Sequence, residues 1–126
     1  MLSLPPAVRI FVCTQLTDGF GRLTTGMRYG FDRLAMLAET ILKQDPLSGH
    51  LFVFFNRPGD RCEILFWDRS GFCLWYKRLE QGVFHLPAYP ADTSTLEVNI
   101  AELSLILEGI DLAGARGHKR YVHITS

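Results

Sequence analysis

The sequence predicts one α+β domain: an antiparallel β-meander, an N-terminal strand, one long amphipathic helix packed on the sheet and a shorter C-terminal helix. Three observations predict it. Apolar residues from Leu34 to Leu42 keep a helical period, three β-rich segments follow in quick succession between short turns, and 48% of the 126 residues are hydrophobic. A chain of this length can bury a core without disulfide or metal staples. Thirteen basic residues balance thirteen acidic ones, which excludes a globally polycationic nucleic-acid binder but allows a local patch. The domain is expected over 1–112, with 113–126 a basic, mobile tail carrying Arg116, Lys119 and Arg120.

The elements follow in order. Val8 to Thr14 is rich in β-branched and aromatic residues and follows Pro5-Pro6, so it reads as a strand. Gly19 to Gly26 has three glycines and no period, which reads as a loop. A helix is expected from Phe31 to Gln44, with Leu34, Leu37, Ala38, Ile41 and Leu42 on one face and Glu39 and Lys43 paired on the other. Asp45-Pro46 stops it. Strands are expected at His50–Asn56, Cys62–Trp67 and Phe72–Leu79. The Pro58-Gly59 turn and the Asp68–Gly71 turn join them, each with a glycine at positive φ. Leu96–Val98 forms a short strand, and Asn99 with Glu102 makes a capping box for a second helix that ends at Gly109. The strands are apolar on both faces, so one face awaits the helices and the other can meet a partner.

Several chemistries lack their residues. No apolar run approaches the ~20 residues of a membrane helix, and the N-terminus lacks the basic start and apolar stretch of a signal peptide, which points to the cytoplasm. Cys13, Cys62 and Cys73 form no close pair, so reduced thiols are expected. Pairing Trp67 with Phe72 puts Cys73 opposite Phe66 and Cys62 opposite Lys77, too far apart for a disulfide or a shared metal. No Gly-Lys-Ser/Thr phosphate loop and no Gly-x-Ser-x-Gly elbow is present. The expectation is a non-catalytic chain without metal or cofactor.

The basic residues carry the sharper signal. With the first meander strand running upward, Arg57 and Arg61 lie at the top, and the third strand climbs back to Lys77 and Arg78. A helix packed antiparallel to the first strand returns its start, with Arg28 and Arg33, to that same end. These six cations are the candidate phosphate contacts. Trp67, Trp75 and Tyr76 are the candidate partner-binding aromatics on the sheet.

Asp45-Pro-Leu-Ser-Gly-His-Leu-Phe-Val-Phe-Phe-Asn-Arg-Pro-Gly-Asp60, followed by Ile64–Asp68, Gly71–Leu74 and Lys77–Phe84, resembles the TnpB-type accessory protein of the insertion-sequence family numbered sixty-six. Met27-Arg28, Gly30-Phe-Asp32 and Leu107–Asp111 extend the likeness over most of positions 4–111. The resemblance implies a small accessory factor for DNA transposition, distinct from the RNA-guided nucleases that share the TnpB name. It implies a larger transposase that does the cutting and joining; contact with transposon-end DNA is the expectation drawn from the basic residues, and docking on the transposase or on a second copy is the competing expectation drawn from the apolar sheet. This sequence departs from the family pattern by eight extra residues after Thr17-Asp18 and by Tyr29, Pro58 and Glu63 where basic residues are usual, so the proposed patch has lost positive charge.

Overall fold

The computed structural model describes residues 7–14, 27–110 and 121–123, with backbone alone for 27–29 and 121–123. The segment Gly19–Gly26 and most of the tail lie outside the described residues. The elements run β1 (Ile10–Cys13), α1 (Met27–Thr40), β2 (Leu51–Phe55), β3 (Arg61–Asp68), β4 (Gly71–Arg78), β5 (His85–Pro87), β6 (Thr95–Val98), α2 (Ile100–Leu107) and β7 (Tyr121–His123).

Five strands form one mixed sheet in the order β4-β3-β2-β1-β6. The meander β2-β3-β4 is antiparallel, but β1 lies parallel to β2, with Ile10 opposite Leu51. Parallel neighbours need a crossover, and α1 supplies it. β6 closes the other side, antiparallel to β1. All five residues of β2 are buried, as a central strand covered on both faces requires.

The alternation of side chains creates two cores. Phe11, Cys13, Phe52, Phe54 and Leu65 face α1, which contributes Leu34, Leu37, Ala38 and Leu42. Ile10, Val12, Leu51, Val53, Phe55, Cys62 and Ile64 face the opposite way, against Leu103, Ile106 and Leu107 of α2 and against Phe84 and Leu86. The second face, expected to meet a partner, is therefore covered by the chain's own elements. Each fully buried Phe or Leu contributes ~1.5–3 kcal/mol by leaving water.

The second helix follows its sequence signals. Asn99 accepts from the Glu102 backbone while the Glu102 side chain accepts from the Asn99 N–H. Gly109 ends it at φ 74°. Elsewhere the boundaries move. The first helix starts before Gly30 and stops at Thr40 rather than Gln44, because Lys43 takes the left-handed conformation at φ 58°. The Glu39–Lys43 helix pair is thereby lost. In the β3–β4 turn the left-handed residue is Arg69, at φ 55°, and not Gly71. Tyr121–His123, expected within a mobile tail, pairs with β5 of the same chain.

Candidate functional site

The parallel crossover decides where the cations gather. β1 and β2 run the same way, so α1 must run back, and its start stands at the end of the sheet where β2 finishes, β3 begins and β4 finishes. That pole holds the β2–β3 turn and the last residues of β4.

Asn56 organises the turn. It is buried. Its Oδ1 accepts the Gly59 and Arg61 backbone N–H groups at 3.0 Å each, and its Nδ2 donates to Asp60 Oδ1 at 2.8 Å. The Gly59 N–H also reaches the Asn56 carbonyl at 3.0 Å, and Gly59 itself sits at φ 83°, a conformation glycine adopts without steric cost. One amide thus holds the loop that presents Arg57 and launches Arg61. Asn56 is not among the residues that the sequence alone singles out, although an Asn before a Pro-Gly turn is a known way of holding a loop through its side chain.

Arg61 and Arg78 are direct cross-strand partners. The Leu79 N–H donates to the Asp60 carbonyl at 2.8 Å, so pair 60–79 is hydrogen-bonded. By alternation pair 61–78 is the non-bonded kind, whose Cα atoms approach to about 4.5 Å. Two guanidinium side chains therefore leave the same sheet face side by side, an arrangement that costs stability through like-charge repulsion. Arg78 answers it with Glu80, at 3.1 Å between Nη2 and Oε2 on exposed surface. Arg61 Nε is buried and has no hydrogen-bond partner among the described residues. Glu63, two residues along on the same face, is 5% exposed. Burial pushes its carboxyl up from the ordinary range, and the Arg61 charge partly offsets that.

The other predicted cations divide. Lys77 leaves the opposite face of β4, where its Nζ donates to the Leu107 carbonyl at 2.7 Å. It therefore caps the C-terminus of α2, where a cation meets the negative end of the helix dipole, and does not join Arg61 and Arg78. Arg57 is exposed in the turn, and Arg33 is exposed on α1. Arg28 lies in the first turn of α1, with its side chain outside the described residues.

The aromatic candidates also separate. Trp75 packs against the core beneath α2. Trp67 meets Phe72 edge-on, with centroids 5.1 Å apart. Tyr76, paired with Glu63, is 44% exposed. Among the described residues no three His, Cys, Asp or Glu side chains converge as a metal site would need, and Cys62 and Cys73 stand opposite Lys77 and Phe66. Burial pushes the Cys62 thiol well up, away from reactive thiolate. No helix among the described residues is long and apolar enough to cross a membrane.

Comparison with known proteins adds what the geometry alone does not. Residues 8–117 match the family described as IS66 Orf2 like protein. The chain is 38% identical over 111 residues to the uncharacterized protein y4hO of Sinorhizobium fredii (strain NBRC 101917 / NGR234), covering 88% of each chain. It is 34% identical over 111 residues to the uncharacterized protein y4jC of the same strain, covering 88% of this chain and 86% of that one. No solved structure matches.

Proposed function

The chain belongs to the IS66 Orf2-like family, which suggests a transposition-associated accessory role, and from that membership we propose that it contacts transposon-end DNA through its arginine pole. The observation that carries the reading is the Arg61–Arg78 pair. Two like charges held side by side on one sheet face cost stability unless an anion bridges them, and a backbone phosphate is such an anion. Arg57 in the adjoining turn and Arg33 on the returning helix extend the positive surface; Lys77 stands outside it. Glu80 on Arg78 is an exposed partner of the sort that contributes little and exchanges readily. The protein would work in the cytoplasm beside the larger transposase, leaving cutting and joining to that enzyme. The reading in which an open apolar sheet face docks a partner has less surface to use, because α1 and α2 cover the two faces.

Fluorescence anisotropy with a labelled duplex of the element's end tests the proposal. Affinity should fall steeply with salt, and Arg61→Ala with Arg78→Ala should weaken binding and reduce the logarithmic salt slope by roughly 1 for each phosphate left without its cation. Binding that ignores both salt and these substitutions would overturn it.

A further inference from the structure

Among the described residues β4 has a neighbour on one side only, β3, and its outer margin is unpaired. Its pairing with β3 runs through all eight positions, Asp68–Gly71 to Arg61–Arg78, without a bulge. Because pairs 62–77 and 60–79 are the bonded kind, the backbone N–H and C=O groups of Phe72, Leu74, Tyr76 and Arg78 point away from β3. No described residue takes them up. Proteins ordinarily blunt such a margin with proline, charge or a bulge. Here Gly71 to Tyr76 contains neither proline nor charge. The opposite margin of the sheet, β6, is only four residues long.

We propose that β4 pairs antiparallel with β4 of a second copy across a two-fold axis at Trp75, joining two five-stranded sheets into one of ten strands. This register is chosen by charge and by hydrogen bonding together. It sets Phe72 opposite Arg78 of the second copy and Leu74 opposite Tyr76, so all four open residues of each copy become bonded pairs. The only charges on β4, Lys77 and Arg78, sit at one end. Antiparallel pairing carries them to opposite ends of the seam, whereas parallel pairing would stack them. Arg78 then lies over the edge-on pair of Phe72 and Trp67 in the other copy, where a guanidinium and an aromatic face attract. Tyr76, the most exposed side chain of the strand's apolar set, lies against Leu74 of the second copy. The seam is isologous and closes at two copies, so it does not propagate into a fibre. This inference does not rest on DNA contact.

Sedimentation equilibrium and backbone hydrogen exchange on the full chain test it. The wild-type chain should show a monomer–dimer equilibrium, with the amides of Phe72, Leu74, Tyr76 and Arg78 gaining protection as concentration rises. Tyr76→Pro removes one outward N–H per copy and none of the β3–β4 bonds; a roughly tenfold weaker association with an unchanged far-ultraviolet spectrum is expected. If that variant fails to fold, Tyr76→Lys, on an exposed side chain, should weaken the dimer by a similar factor. A chain that stays monomeric at the concentrations used for nuclear magnetic resonance overturns the proposal. So does a dimer in which those four amides exchange as fast as in the monomer, or protection that arises only on adding a different protein.

Discussion

Replacing Asn56 with alanine isolates the contribution of one buried amide to the arginine pole. The side chain makes three hydrogen bonds, two through Oδ1 and one through Nδ2. Their loss is not equal. The Gly59 N–H keeps the Asn56 backbone carbonyl as a second acceptor, so it is not orphaned. The Arg61 N–H and the Asp60 carboxylate lose their partner outright. At about 1 kcal/mol net for each broken bond, and somewhat more for a bond to a charged group, Asn56→Ala should cost about 2–3 kcal/mol. For a chain of 126 residues that lowers the melting temperature by about 8–11 °C, read by differential scanning calorimetry. The same variant frees the loop that sets Arg57 and Arg61, so DNA affinity measured well below the melting point should fall as well. A drop of less than about 2 °C would refute the claim that this amide holds the turn. A large thermal effect with unaltered DNA binding would detach the turn from the function proposed for it.

Two further substitutions follow from the same geometry. Lys77→Met keeps an apolar stem but removes the donor to Leu107, and a loss of about 1–2 kcal/mol in urea unfolding is expected, with the salt slope of DNA binding unchanged; a reduced slope would return Lys77 to the phosphate contacts. Glu63→Gln addresses pH. A carboxyl whose folded pKa is raised destabilises the fold once pH climbs above its unfolded value, so the wild-type chain should lose stability relative to the variant through the weakly acidic range and gain it back on acidification. Melting curves of the two chains that stay parallel at every pH would show that Glu63 is indifferent to burial.

What could be read from sequence was whatever local chemistry dictates. The tight Asp68–Gly71 turn specifies the β3–β4 register, which is why Cys62 opposite Lys77 and Cys73 opposite Phe66 were foreseeable. The Asn99 cap needs only residues within one turn of each other. The partners of β1 were not legible, since four residues of mixed β-branched and aromatic type carry no mark of parallel or antiparallel pairing. The turn conformation at Arg69 rather than Gly71 was missed because glycine permits a left-handed backbone without compelling it. The assignment of Lys77 failed for a different reason. Grouping the cations by the end of the strand ignored the two-residue period, which alone places Lys77 and Arg78 on opposite faces. Glu63 is not legible as a buried acid because its burial depends on what packs over that face of the sheet, not on the strand itself.

The seat of β1 between β2 and β6 carries a consequence for synthesis. Arg9 reaches Glu97 across 88 positions of chain, so the first strand to leave the ribosome waits for nearly the last. The β2–β3–β4 ribbon can assemble early from neighbours alone, while the N-terminal segment remains half-zipped, one side satisfied and the other bare, until translation has passed Val98. A premature stop before that residue would release a polypeptide in which β1, all of it buried in the finished fold, becomes the bare rim of a four-stranded sheet.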